Sequence, residues 1–325
     1  MASYWKEKTV LITGATGFVG FWLAKHLVEE EAHVVALIRD WDPNCQLIRT
    51  GLVSKIQVVS ANLADFAGVE RTLSECEVDT VFHLGAQAIV GVAHRSPLLT
   101  FESNIRGTFN VLEACRVHKK LVKRVVVASS DKAYGVGPAL PYTEDMPLQG
   151  QHPYDVSKSC VDLLAQCYWH TYELPVVIAR CGNIYGGGDL NWSRIVPGTI
   201  RSLLQDKAPI IRSDGKFIRD YVYVEDAVQA YLLLARSIDE RATAGEAFNF
   251  GPEKPMTVLE IVGVIQQVMG RGDLPPVVLD EVVAEIRDQY LCSRKAREKL
   301  GWKPAFSVAE GLARTVSWYR ECLGG

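Results

Sequence analysis

The chain has 325 residues, 48% of them apolar and 22% charged, with a formal net charge of −3. These are ordinary values for a globular protein, long enough for one large domain or two smaller ones. They give no electrostatic case for nucleic acid or an anionic membrane as a partner, and no run approaches the ~18 apolar residues of a spanning helix.

The first element is a strand over "KTVLITG", followed by "TGATGFVG" and a helix over "FWLAKHLVEEE". Gly14, Gly17 and Gly20 thus form G-x-x-G-x-x-G where a strand turns into a helix. A helix N-terminus offers free N–H groups and positive potential, which suits a pyrophosphate. Glycines let the backbone turn tightly and approach the phosphates, and the last permits close packing of helix against strand. In the first βα unit of an alternating chain this pattern points to a dinucleotide.

The second strand, "HVVALI", runs into "RDWD", with Ile38 near the position where an acid would bind the ribose hydroxyls of NAD. Arg39 suits the 2′-phosphate of NADP, and Asp40 suits the ribose if the loop curls back. Alternatively both are solvated loop charges. NAD is the expected cofactor, with NADP the close alternative.

A strand over "KIQVVSA", a helix near 66–75, a strand over "VDTVFHLG" and a long helix over about 100–118 follow. The next strand, "RVVVASS", ends in "DKAYG", so hydroxyls, a carboxylate and an amine meet at a strand end. Strand ends of open α/β sheets are where ligands sit. Ser130, Asp131 and Lys132 are therefore a candidate proton-transfer set; the other reading is a solvent-exposed Asp131–Lys132 pair.

A second long helix spans about 154–173 and opens with "PYDVSK". Tyr154 and Lys158 stand four apart, on one helix face. A phenol has a pKa of ~10, and a nearby ammonium or a cationic nicotinamide favours phenolate. Tyr154 could then take a proton from a sugar hydroxyl while hydride leaves the same carbon. Lys158 would also bind the nicotinamide ribose, and Ser130 would hold the reacting hydroxyl. "PVVIARCGNIYG" is one further strand.

Strands alternating with helices predict right-handed βαβ units, an α/β Rossmann-type doubly wound parallel sheet. After residue 185 the pattern becomes irregular. "RSDGKFIRDYVYV" reads as strands around a turn, "VEDAVQAYLLLARSI" as a helix and "EAFNFG" as a strand. Short helices follow over "TVLEIVGVIQQVMG", "SRKAREKLGW" and "SVAEGLARTVSWYRECL". The expected division is a dinucleotide-binding domain over 1–182 together with 221–250, and a smaller, mostly helical lobe over 183–220 and 251–325. The eight cysteines are scattered, without C-x-x-C or a Cys/His cluster, so no metal is expected. The start carries no apolar stretch behind basic residues, and a cytoplasmic protein is the expectation.

The glycine loop, the Ser-ended strand and "YDVSK", in this order, resemble the short-chain dehydrogenase/reductase superfamily, in its extended branch acting on nucleotide sugars. "VFHLGAQ", "NIRGTFNVLEAC", "ARCGNIYGGGD", "RDYVYVEDAV" and "SRKAREKLGW" carry the likeness along essentially the whole chain. It implies cofactor contacts from Thr16, Phe18 and Val19 beside the three glycines. It adds Asn62, Leu63, Leu84, Gly85, Ala86 and Asn104 to that set, together with Tyr154 and Lys158. Gln87, Asn183, Arg194 and Arg219 join Ser130 as implied substrate contacts, Asn183 and Arg219 at the nucleotide diphosphate. A homodimer paired through a four-helix bundle of the two long helices is also implied.

In this branch, 4-epimerases oxidise C4 and reduce the ketone on its other face. The 4,6-dehydratases instead use the ketone to acidify C5, lose water from C6 and return hydride to C6. That second route needs a further acid and base, and "SDK" is similar to the form in dehydratases of the CDP-glucose type. The resemblance then makes Asp131 the acid at C6 and Lys132 the base at C5. An epimerase acting at C4 or C2 is the alternative. "ALIRD" resembles GDP-mannose dehydratases, and "DGKFIRDYVYVEDA" is the generic form, so the nucleotide stays open.

Overall fold

The structure is a computed structural model and describes residues 3–137, 139–281 and 285–323. Its main sheet has seven strands. Six of them, in chain order, are β1 (Thr9–Thr13), β2 (His33–Ile38), β3 (Gln57–Ser60), β4 (Thr80–His83), β5 (Arg124–Ala128) and β6 (Val176–Cys181). The spatial order is Ala247–Phe250, β6, β5, β4, β1, β2, β3, and the ladders between β1 and β6 are parallel. Successive residues of β1, β4, β5 and β6 are buried, as expected when helices cover both faces of a parallel sheet. One face carries Leu11, Val35, Val81, Val125, Val127 and Ile178 against Leu73, Leu112 and Val161 of three helices. These are Phe66–Glu75, Gly107–Val117 and Pro153–Tyr172. The strand order reverses between β1 and β4, so the ends of these two strands flank the crevice where such sheets bind ligands.

One strand expectation is corrected. "PVVIARCGNIYG" is not one strand. At Gly182 the chain changes partners: Gly182 N–H donates to Phe250 O, and Asn183 N–H donates to Asp220 O. Asn183–Tyr185 then pairs with Tyr221–Tyr223. A side chain at Gly182 would come within 3.1 Å of Asp220 O, so the crossover is tight at this point. "RSDGKFIRDYVYV" does turn at Gly215, at φ +80°, but its strands do not pair with each other. Ile210–Ile211 pairs with Val277–Val278, and Ile218–Arg219 lies between Met256–Thr257 and Asp288–Gln289. The turn stands as read, and the partners of the strands beside it lie later in the chain.

The chain divides into two compact units. The first runs to Gly137 and includes Glu144–Arg180 and Val228–Phe248; the second holds the segment ending at Thr143, Cys181–Ala227 and the chain from Asn249 onward. The second unit therefore takes 221–227 and a piece before Thr143, both of which the sequence reading assigned to the first domain. Among the described residues, no helix is long and apolar enough to cross a membrane, and no group of His, Cys, Asp and Glu is placed to hold a metal.

Candidate active site

The glycine loop follows β1 and leads into the helix Phe18–Glu29. Gly17 is its N-cap, with no side chain capping it and no acid in the first turn. Its first N–H groups are thus left for an anion. Gly14 takes a φ of +79°, and a side chain there would sit 2.8 Å from Gly85 N. A Cβ on Gly20 would meet Gly14 O at 2.1 Å, so the third glycine lets the helix close on the loop itself. Leu84, Gly85 and Ala86 follow β4 directly beside this loop, and Gly85 N–H donates to Thr13 Oγ1 at 3.0 Å. Leu63 packs where side chains on Gly85 or Gly107 would be, and Asn62 closes an exposed turn with Ala64 N–H. Thr16, Phe18 and Val19 are half-buried around the helix start. This bare, uncapped cradle fits a dinucleotide pyrophosphate.

At the end of β2, Ile38 is buried, whereas Arg39 and Asp40 are exposed and paired with each other at 2.5 Å. The structure thus joins the two groups that the sequence offered as rival ribose contacts.

Behind the cradle runs a buried polar chain that sequence reasoning missed. His83 Nδ1 lies 2.8 Å from Thr13 Oγ1, and its Nε2 lies 2.9 Å from Thr108 Oγ1. Burial, and then the charge of Lys158, lowers the His83 pKa to about 3, so the imidazole is neutral. "VFHLG" carried the signal as a lone His ending an apolar strand.

The first long helix begins at Pro97 rather than near 100 and runs to Val117, with a wider π-turn over Glu102–Arg106. Such turns often mark functional positions. This one presents Asn104, which is 1% exposed. Its Oδ1 accepts from Gln87 N–H at 2.7 Å, and its amide donates to Gln87 O and to Ser157 Oγ. Asn104 therefore braces the Gln87 loop against the Tyr154 helix. Ser157, which in turn donates to Tyr154 O at 2.7 Å, was not anticipated.

The end of β5 and the helix Pro153–Tyr172 bring the catalytic candidates together within the first unit. Lys158 is buried and its Nζ donates to Ala128 O, the last residue of β5, at 2.7 Å. It lies 5.9 Å from the centre of the Tyr154 ring. Ser130 caps a 3₁₀ turn over Asp131–Tyr134, accepting from Lys132 N–H at 3.2 Å. Its hydroxyl donates to Asp131 Oδ1 at 2.9 Å. Asp131 is buried and Lys132 half-buried, so the turn is not a solvent-exposed ion pair.

Two further residues act on this turn. Arg180 is 2% exposed, forked onto Asp162 at 2.7 and 2.8 Å, and donates to Tyr134 Oη at 2.7 Å. The fork is the geometry in which a guanidinium pairs best with a carboxylate. Asp155, next to Tyr154, is buried; burial raises its pKa, while the charges of Lys132, His152 and His94 draw it back down. Its signal in the sequence was only its adjacency to Tyr154.

The second unit holds the remaining candidates. Asn183 is half-buried at the start of its short strand. Arg194 caps the helix Ile195–Leu204 and pairs with buried Asp189 at 3.0 Å. Arg219 is 4% exposed, and its guanidinium donates to Ile218 O, Ile286 O, Arg287 O and Glu285 Oε1. The sequence did not foresee that backbone carbonyls and a carboxylate would claim this cation.

The model of the family described as GDP-mannose 4,6 dehydratase matches residues 11–315. A CDP-glucose 4,6-dehydratase of Salmonella typhimurium is 31% identical, over 99% of this chain and 93% of that protein. A UDP-glucose 4-epimerase of Mycolicibacterium smegmatis is also 31% identical, over 95% of this chain and 98% of its own. Among solved structures, a dTDP-glucose 4,6-dehydratase of Streptomyces venezuelae with NAD and TYD bound is similar with a TM-score of 0.87. It is 28% identical, and the match covers 97% of this chain and 98% of that one.

Proposed function

Because the chain belongs to the GDP-mannose 4,6 dehydratase family, we propose that it is a nucleoside-diphosphate-hexose 4,6-dehydratase working with tightly held NAD. Its relatives are nucleotide-sugar dehydratases and epimerases. The observation that carries the choice between them is the Ser130–Asp131–Lys132 turn: a buried acid and a half-buried amine at the strand end to which Lys158 is anchored. Inversion at C4 by oxidation and re-reduction has no step for that second pair, although a lysine at this position also suits some 2-epimerases. The epimerase reading rests on the equal identity of the mycobacterial relative.

Tyr154 takes the C4 hydroxyl proton, helped by the Lys158 ammonium, which favours the phenolate. The chemistry that bound NAD supplies is acceptance of hydride from C4 and its later return to C6. Lys132 removes the C5 proton that the C4 ketone has acidified. Asp131, as the carboxylic acid, protonates the C6 oxygen, so that the C6–O bond breaks and water leaves. The Lys132 amine exchanges its protons with solvent, and a solvent-derived proton is then delivered to C5 as hydride reaches C6. The net change is loss of one water, with no oxidant consumed, and this internal recycling favours a cofactor that never leaves. NAD bound in the Streptomyces structure supports the same choice.

Asn183 and Arg219 are assigned to the nucleotide diphosphate, and Gln87 and Arg194 to the substrate without a stated subsite; Arg219 would exchange Glu285 for phosphate oxygens. A homodimer is supported by exposed Leu98, Leu99, Phe109 and Val117 on one long helix and Leu163 and Tyr172 on the other. Cysteines used as core residues, Cys115 among them, support a reducing cytoplasmic setting.

The test is incubation with CDP-glucose, GDP-mannose, UDP-glucose and dTDP-glucose, without added oxidant. A 4-keto-6-deoxy product from one of them is expected. A C4 epimer with no water loss refutes the reading.

A further inference from the structure

The geometry points to Ser159 as the positioning residue that sets the acid/base turn, Asp131–Lys132, in register with the oxidising pair, Tyr154–Lys158. This role rests on the dehydratase reading. It deepens that reading by naming what holds two catalytic pairs from different segments at one fixed spacing.

Ser159 is 8% exposed in a helix interior, where serine is a poor choice unless its hydroxyl has a partner. Here it has several. Ser159 Oγ lies 2.8 Å from Ala133 O and 3.2 Å from Asp155 O, and it accepts from Gly150 N–H at 3.1 Å. Ala133 O also accepts from Gln149 N–H at 3.1 Å. One hydroxyl thus joins three stretches of backbone: the catalytic turn, the 149–150 segment and the first turns of the Tyr154 helix.

The joint has no slack. Gly135 has a φ of +65°, and a side chain on it would fall 2.0 Å from Gln149 O. A side chain on Gly150 would lie 2.4 Å from the Asp155 carbonyl carbon. Ser159 follows Lys158 directly, and Ala133 follows Lys132 directly, so the bridge is one residue removed from each pair. Tyr154 and Lys158 form one helical stripe; Asp155, Ser159 and Asp162 form the next, at i, i+4 and i+7. That second stripe holds the turn twice, through Ser159 at Ala133 and through the Asp162–Arg180 pair at Tyr134. Asp155, at its head, feels the Lys132 charge more than any other. Ser159 touches no reacting atom, and its effect is on distance.

Elimination needs both pairs on one sugar at once, whereas oxidation at C4 needs only Tyr154 and Lys158. Loss of the bridge therefore separates the two steps, and a misplacement of about 1 Å is enough to cost about a hundredfold. The test uses the purified holoenzyme with CDP-glucose and with dTDP-glucose in D₂O. It reads the ultraviolet absorbance of reduced bound nicotinamide and the deuterium at C5 of the product. Ser159→Ala is expected to reduce its bound cofactor within about threefold of the wild-type rate, and to form C5-deuterated product at least about tenfold more slowly. Reduced cofactor then accumulates, and Ser159→Thr, which keeps the hydroxyl, restores the ratio. If both rates fall by the same factor, or neither falls, the positioning role is overturned while the dehydratase reading stands. If wild-type protein gives product without C5 deuterium, the dehydratase reading fails and this role fails with it.

Discussion

Gly20→Ala perturbs the cofactor cradle at the point where the structure leaves least room. The added methyl would lie 2.1 Å from Gly14 O, 2.8 Å from Gly14 C and 2.9 Å from Ala15 Cα, all of them backbone. Ordinary contact begins near 3.4 Å, so the helix start and the loop must separate by roughly 1.3 Å, an overpacking of the kind that costs ~1–3 kcal/mol. Alanine's helix preference returns ~0.5–1 kcal/mol of that in stability. The displacement itself falls on the N–H groups assigned to the pyrophosphate. Since each ~1.4 kcal/mol is tenfold in affinity, NAD should bind about ten- to a hundredfold more weakly. The assay is fluorescence titration of NAD, together with the NAD retained through purification. Gly263→Ala is the control: it is also helical, with nothing within 4 Å of the added methyl, and should bind NAD normally. If Gly20→Ala holds NAD as tightly as Gly263→Ala does, the cradle is misplaced.

Tyr154→Phe should lower turnover by about 10²–10⁴-fold and leave NAD retention unchanged, as steady-state rates and cofactor content will show. Asp162→Ala leaves the buried Arg180 guanidinium without its carboxylate and should cost ~3–5 kcal/mol in urea unfolding; an accompanying Arg180→Met should recover part of it. His83 is neutral in the fold because its pKa is lowered to about 3, while the unfolded chain titrates near ~6.5. Its contribution is therefore complete above pH ~6.5 and is lost, at about 1.4 kcal/mol per pH unit, as pH falls from there towards the folded value. His83→Asn should flatten the stability profile by that slope in urea titrations between about pH 5 and about pH 7.5.

The parallel sheet was legible because β1 to β6 are short runs rich in β-branched residues that alternate with helices, and period and order dictate such a layout. The glycine loop and the Tyr154–Lys158 spacing were legible for a similar reason: each is a local pattern whose chemistry depends on a few neighbouring residues. What escaped was set by partners distant in the chain. The break at Gly182 depends on Asp220 and Phe250, and the pairing of Ile218–Arg219 depends on strands as far on as Asp288–Gln289. His83, Ser157 and Ser159 carry ordinary residue types at unremarkable spacings. Their importance comes from buried hydrogen bonds that only the folded backbone assembles. Arg219 shows the converse: a recognisable motif residue whose guanidinium is held by carbonyls no motif contains.

The central claim is that one turn, Asp131–Lys132, performs elimination after Tyr154 has oxidised C4. It is tested most directly by a single turnover in D₂O with wild-type protein and Lys132→Ala. Wild-type protein should give a 4-keto-6-deoxy product with deuterium at C5. Lys132→Ala should reduce its bound nicotinamide and give no C5 deuterium. A Lys132→Ala enzyme that delivers C5-deuterated product at the wild-type rate would contradict it.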